Sequence, residues 1–442
     1  MPIIEPDTPG IDLRRLRQFL HQRLIESLET DAAEALVEGD LQARIASLIT
    51  RFEDEIGQSI DAATRLLLSE QVLHEVRGLG PLAPLMVDPS ISDILINGPH
   101  EVWIDRNGQL SKTAVEFDNE AHLRRFLDRL IAAQGKHLDS NSPAVDARLP
   151  DGSRLHALIP PLCANGPVVS IRRFVEAQNS DSALLDSGML SVEMLAFLEL
   201  AVSSGLNILI AGGAAAGKTT LLNGVSQYIP ASERVITVEE SAELQLRHPH
   251  VVTLEARQGN SEGRGQIDLR VLLRNALRMR ADRIIVGEVR GHEVFEMLQA
   301  MNVGHDGSLS TVHANSPNDA LKRLESLALL ADVGLPREAI RDMIGSAIQV
   351  IVQVARFRDG SRCVTSIGEL VSSNGRLQVQ ELFSFCPDPV DAQPGAPSAK
   401  ALNRSGRHVF GEHRPSFLNS LLHRGYALPD CLGQWQLAGA EG

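Results

Sequence analysis

The octapeptide Gly212-Gly213-Ala214-Ala215-Ala216-Gly217-Lys218-Thr219 has the spacing G-x-x-x-x-G-K-[ST]. Its chemistry is phosphate binding. Glycines let the backbone curl until consecutive N–H groups point at one anion, and a helix N-terminus behind them adds positive potential. Lys218 is placed to reach β- and γ-phosphates, facing solvent toward the ligand. The Thr219 hydroxyl is placed to ligate Mg²⁺. Thr220 follows as a further nucleotide-binding position. The apolar run Asn207-Ile208-Leu209-Ile210-Ala211 precedes the loop, and a helix over 219–228 is expected after it. A strand before and a helix after are the context this motif needs.

A metal-bound triphosphate also needs a carboxylate. Arg283-Ile284-Ile285-Val286-Gly287-Glu288 is an apolar strand ending in an acid, so Glu288 is the candidate to hold Mg²⁺ directly or through water. A second acidic group closes the strand after the loop's helix, at Val238-Glu239-Glu240-Ser241-Ala242-Glu243. Glu239 or Glu240 could orient or deprotonate an attacking water. The spacing alone does not choose between them, and a solvated acidic turn would read the same way. Gly304-His305-Asp306-Gly307 enters the strand Ser308-Leu309-Ser310-Thr311-Val312-His313. His313 at that strand's end could sense the γ-phosphate. A His305/His313 metal site is disfavoured, because the pair is widely spaced and no thiol joins it.

These residues need a scaffold, and the hydrophobic pattern supplies one. Residues 1–75 contain apolar residues at helical spacing: Ile11, Leu13, Leu16, Phe19, Leu20 and Leu24, then Leu41, Ile45, Leu48, Ile49, Phe52 and Ile56. Residues 76–176 change to short strands at 91–97, 101–105 and 168–174, a helix over 121–134, and a hairpin over 144–159 around Pro150-Asp151-Gly152-Ser153. Its apolar face carries Val145, Ala147, Leu149, Leu155, Ala157 and Ile159, and its polar face Asp146, Arg148, Arg154 and His156. Residues 177–190 have linker composition. From 191 to 386 helix and strand alternate as a mostly parallel sheet requires, ending in an antiparallel meander. Residues 387–442 are expected to be a surface loop and a short helical end. The fold class is thus an α/β RecA-like P-loop ATPase domain, preceded by a smaller α+β domain and an N-terminal helical region.

Composition narrows the function classes. The net charge of −14 argues against a protein that tracks nucleic acid. The four cysteines show no C-x-x-C spacing, which disfavours a zinc site. No apolar run approaches the ~20 residues that span a bilayer, and the N-terminus has no signal-peptide pattern. A cytoplasmic chain is expected, with any membrane association peripheral and through partners.

The order of the glycine-rich loop, the acidic group at 239–243, Glu288 and the box ending at His313 resembles the secretion-superfamily ATPases of type II secretion, type IV pili and type IV secretion. The likeness is closest to the CpaF-like tight-adherence (Flp) pilus assembly branch. It is carried by Gly78-Leu79-Gly80-Pro81-Leu82, Ser92-Asp93-Ile94, the stretch Asp146 to Arg154, Ile171-Arg172-Arg173-Phe174, Leu273 to Arg280, Leu298 to Asn302 and Arg414 to Leu418 with Arg424-Gly425. The resemblance implies Mg-ATP hydrolysis, a homohexameric ring, an inner-membrane platform as partner, and pilin assembly as the work. It also implies that one or more of Arg148, Arg154, Arg172 and Arg173 grip the γ-phosphate, from the same subunit or a ring neighbour. Alternatives are a type IV secretion ATPase for protein or DNA export, a retraction motor, and a non-hydrolysing nucleotide-binding scaffold. Two departures are visible. Ala214-Ala215-Ala216 stands where Thr-Gly-Ser is frequent, and Glu239-Glu240 where Glu-Asp is usual.

Overall fold

The computed structural model describes Leu16, Phe19, Leu20 and Arg23, then residues 38–437 apart from 57–58, 77–78, 107, 133–134, 174–179, 258–264, 358, 374–375 and 389–405. Ile11, Leu13, Leu24, Gly78, Phe174 and the Pro- and Ala-rich stretch after residue 388 lie outside the described residues. The chain divides into two compact units, Met1–Val175 and Glu176–Gly442.

The first unit opens with helices Glu38–Ile56 and Ala62–Val76, whose apolar stripes bury Leu41, Ile45, Ile49, Leu68 and Val72 together with Leu16 and Leu20. A six-stranded antiparallel sheet follows: β1 (Ile91–Asn97), β2 (Val102–Arg106), β3 (Gln109–Lys112), β4 (Ala144–Arg148), β5 (Arg154–Leu158) and β6 (Val168–Arg172), in the order β3-β2-β1-β6-β5-β4. One face buries Ile94, Ile96, Val102, Ile104, Leu155, Ala157, Val169 and Ile171 with Phe126 and Leu127 of helix Glu120–Ala132. Strict alternation along β4, β5 and β6 puts Asp146, Arg148, Arg154, His156, Ser170 and Arg172 on the other face, with Ala144, Leu158 and Val168 at one end of it.

The second unit is built on a nine-stranded sheet. Its strands are β7 (Ile208–Gly212), β8 (Val235–Glu239), β9 (Val251–Glu255), β10 (Arg283–Val289), β11 (Leu309–His313), β12 (Val350–Arg356), β13 (Arg362–Ser373), β14 (Arg376–Pro387) and β15 (Gly406–Phe410), ordered β15-β14-β13-β12-β7-β11-β10-β8-β9. From β12 through β7 to β9 every pairing is parallel, and from β12 to β15 every pairing is antiparallel. The parallel strands are nearly all apolar because both faces are covered. Ile208, Ile210, Val350 and Val352 enter one core with Leu198 and Phe197, whereas Leu209, Ala211, Ile236 and Val286 enter the other with Met297 and Leu324.

Two boundaries differ from the sequence expectation. Within 177–190, the helix Asp181–Asp186 is capped by Ser180, and Leu184, Met189 and Leu190 are buried in the second unit's core. Leu184 also packs on Gly224 of the helix behind the glycine loop, so close that a Cβ there would stand 2.8 Å away. This stretch is part of the domain, because Leu184 of the helix and Met189 and Leu190 after it are buried in that core. Residues 406–437 are likewise no separate tail. β15 adds to the sheet edge, and Leu418, Leu421, Leu432 and Trp435 pack into the core around Phe197 and Phe383.

Candidate functional site

Four of the residues singled out for chemistry in the second unit lie at the C-terminal ends of parallel strands: Gly212 on β7, Glu239 on β8, Glu288 on β10 and His313 on β11; Lys218, Thr219 and Thr220 open the helix after β7, and Glu240 follows β8. β7 is also where the sheet order turns, with β12 on one side and β11 on the other. Ligands of open α/β sheets bind at such switch points, outside the carboxyl ends of the strands.

The loop between β7 and helix Lys218–Ser226 has the shape its sequence demands. Gly217, the residue before the helix, adopts φ +98°, where only glycine is relaxed. Ala215 is also left-handed at φ 55°. Gly212 cannot carry a side chain, since a Cβ would stand 2.6 Å from the Val354 carbonyl oxygen. The first-turn amides of the helix have no intrahelical partners and open into the loop. Lys218 is buried, 7% exposed, contrary to its expected solvent-facing pose. Its Nζ folds back to donate to the carbonyls of Gly212 (3.3 Å) and Gly213 (3.1 Å). Burial lowers the Lys218 pKa, with the nearby Glu288 charge opposing that shift.

His313 bridges the lysine and the carboxylate. Its Nδ1 lies 3.3 Å from Lys218 Nζ, and its Nε2 lies 2.7 Å from Glu288 Oε1. Facing an ammonium, Nδ1 of the neutral ring offers its lone pair, which leaves the proton on Nε2; Glu288 Oε1 lies close to that nitrogen but out of line for a hydrogen bond, and accepts none. Burial and the Lys218 charge lower the His313 pKa, against the pull of Glu288. Glu288 owes its direction to an irregularity: the β10–β11 register shifts between Val286 and Val289. Bulges re-aim a side chain in this way. Thr311 Oγ1 ties the Gly287 carbonyl at 2.7 Å, on the strand that also carries His313.

The two glutamates of β8's end differ. Glu239 is 3% exposed, and its Oε2 accepts from the amides of Glu243 (2.7 Å) and Leu244 (2.9 Å), shaping the following turn. It packs on Gly287, where a Cβ would stand 3.0 Å from Glu239 Cγ. Glu240 is exposed and lies 3.3 Å from Arg290 Nη1. Arg290 in turn donates from Nη2 to Glu288 Oε2 at 2.6 Å, and that bond raises the Arg290 pKa. The cluster thus runs Lys218, His313, Glu288, Arg290, Glu240. Arg290 was missed in the sequence, although its place two residues beyond Glu288 puts both on one side of an extended chain. Ala214 is exposed, Ala216 is buried, and Thr219 and Thr220 are half-buried in the helix's first turn.

A divalent cation fits the donor set. Thr219 offers a hydroxyl and Glu288 a carboxylate, both hard oxygen donors suited to Mg²⁺, which takes its remaining ligands from phosphate and water.

The arginines of the first unit form a row. Arg148 is paired in register with Arg154, Arg154 with Arg172, and Arg172 with Asp93, across β4, β5, β6 and β1. Arg172 Nε donates to Asp93 at 3.1 Å. Arg173 stands apart, because its guanidinium donates to the carbonyls of Asp88 and Ile91 within the unit. Among the described residues no group of three or more His, Cys, Asp or Glu could hold a metal, and no helix is long and apolar enough to cross a membrane.

A family model described as "Type II/IV secretion system protein" matches residues 75–408. A Mycobacterium tuberculosis protein named "Putative conjugal transfer protein" is 40% identical over 322 residues, covering 71% of this chain and 91% of its own length. Type IV secretion system protein PtlH of Bordetella pertussis is 33% identical over 313 residues, 63% of this chain and 89% of that one. Conjugal transfer protein TrbB of Rhizobium radiobacter is 30% identical over 279 residues, 62% and 82%. Among solved structures, the VirB11 ATPase of the Brucella suis type IV secretion system, in complex with sulphate, is 28% identical, covers 66% of this chain and 94% of its own, and superposes with a TM-score of 0.37.

Proposed function

We propose, for a chain that belongs to the type II/IV secretion system protein family, that it hydrolyses Mg-ATP and passes the resulting domain motion to a membrane-embedded platform. The observation that carries this is the cluster at the loop's mouth: Lys218, His313 and Glu288 in contact at the carboxyl ends of three parallel strands. Lys218 exchanges its loop carbonyls for phosphate oxygens when a triphosphate enters. A phosphate oxygen carries formal negative charge where a carbonyl oxygen carries only a dipole, so the ammonium gains an ionic partner in the exchange. A divalent ion held by Thr219 and Glu288 would neutralise charge on the phosphates. Arg290 holds Glu288 through its Oε2, and His313, neutral with its proton on Nε2, stands between Glu288 and the lysine and reports on the lysine's position. Glu240, tethered by Arg290, and Glu239, braced by its turn, are the two candidates to address the water.

The machine we propose is a tight-adherence (Flp) pilus assembly system, with the chain as a homohexamer peripheral to the inner membrane. It rests on the motif likeness at 78–82, 92–94, 146–154 and 273–280. A type IV secretion or conjugation role is the second reading, favoured by the names of the relatives at 40% and 33% identity. Affinity capture of the tagged chain from solubilised membranes separates them. A pilus platform protein as the integral partner supports the first; a type IV secretion channel component supports the second.

A further inference from the structure

The chemistry described above lies on one side of β7. β11, β10 and β8 carry His313, Glu288 and Glu239 and all stand on the same side of the strand that feeds the glycine loop. On the other side of β7 is the β12–β13 hairpin, with Val354 paired to Gly212. Its turn is tightly made: the Phe357 amide donates to the Ser361 carbonyl at 2.8 Å, and Asp359 Oδ1 accepts from the Ser361 amide and hydroxyl. Arg362 leaves that turn as the first residue of β13, in register with Arg356. Its stem lies on the loop: a Cβ on Gly217 would stand 3.0 Å from Arg362 Cδ and 3.4 Å from Met189 Cε. Met189 is held there because its carbonyl accepts from the Val364 amide at 2.7 Å. An exposed arginine and a buried thioether thus flank the last glycine of the loop, opposite the metal and γ-phosphate side.

A nucleoside triphosphate in the loop has two ends. If the γ-phosphate lies against Lys218 and Glu288, the α-phosphate and nucleoside must leave on the side away from them, past Gly217. We propose that Arg362, backed by Met189, is the base-flanking residue of this site and takes a purine. The inference rests on the nucleotide-site reading of the loop. Arg362 suits the role physically. A guanidinium is planar and stacks on flat π-faces, and the methyl end of methionine is an adaptable apolar contact for a ring. Gly217 contributes by its missing side chain, which lets the arginine stem approach the backbone that holds the phosphates.

The test compares Arg362→Ala with the unaltered chain in equilibrium titrations of Mg-ATP, Mg-ADP and Mg-tripolyphosphate, which has the phosphates without the nucleoside. ATP and ADP should each weaken about tenfold, the scale of one lost cation–π contact, while tripolyphosphate binding stays the same. Hydrolysis at saturating ATP should keep its kcat while KM rises, since the reacting end is untouched. Arg362→Lys should recover little, because an ammonium lacks the stacking plane. Unchanged ATP affinity in Arg362→Ala overturns the proposal, and so does equal weakening of tripolyphosphate, which would make Arg362 a phosphate ligand. An unaltered chain that binds neither ATP nor tripolyphosphate overturns the nucleotide-site reading, and this inference with it.

Discussion

The Lys218 charge acts on the titration of His313, and its effect has a sign. Burial and Lys218 hold the His313 pKa below 6.5. The neutral form, with its Nδ1 lone pair facing the ammonium, is therefore held to lower pH than in a free imidazole and is lost as pH falls through the lowered folded value. Hydrolysis should show an acid limb with its midpoint below 6.5, and His313→Gln should flatten that limb; an acid limb identical in the variant removes His313 from the mechanism. Lys218→Ala should lower turnover by several powers of ten, since one side chain contacts the phosphates in ground and transition states. Thermal unfolding should barely move, because the burial of Lys218 comes from folding back onto its own loop and not from core packing. For the glutamates, Glu239→Gln should retain ATP binding and lose hydrolysis, with Glu240→Gln milder. The reverse ranking would assign the water to the carboxylate tethered by Arg290.

At the scale of elements, the site depends on how β10 and β11 are anchored at the end opposite the chemistry. Arg283 opens β10, is 1% exposed, pairs with Glu233 and donates to the Val202 carbonyl at 2.5 Å. It lies flat against Gly307, where a Cβ would stand 2.5 Å from Arg283 Nη1. Gly307 also sits at φ 81°. Gly307→Ala should therefore destabilise by about 2–4 kcal/mol through clash and strain together, read as a lower denaturation midpoint. A midpoint within error of the parent would show that Arg283 swings away at no cost. This anchor was illegible in the sequence, where Arg283 read as the polar start of an apolar strand. The glycine loop was legible because its spacing and flanking apolar run are local signals. Glu288 was legible for the same reason, but Arg290 was not, since it gains meaning only once Glu240 and Glu288 converge on it. β3 escaped because Gln109–Lys112 is an exposed edge strand, and β15 because the half-buried Gly406–Phe410 carries no apolar alternation. The helix Asp181–Asp186 escaped because its one buried leucine sits in a polar, linker-like stretch.

At the scale of the whole molecule, the two units carry different parts of the proposed cycle. The second unit holds the reacting groups, and the first presents the row Arg148, Arg154, Arg172 on the polar face of its sheet. The proposal that these arginines answer to the γ-phosphate predicts that alanine variants weaken ATP more than ADP and slow hydrolysis. Equal ATP and ADP affinities with normal turnover would leave them as surface charges. Arg173 is expected to behave differently, losing stability first, because it ties the Asp88 and Ile91 carbonyls inside the unit. The central claim is that the cluster at the loop's mouth hydrolyses Mg-ATP. Its most direct test is phosphate release by the purified chain and by Glu288→Gln, with ATP binding measured on the same samples. The account predicts release by the parent, and ATP binding without release by the variant. A Glu288→Gln chain that turns over as fast as the parent, or a parent that binds ATP and releases nothing, would contradict it.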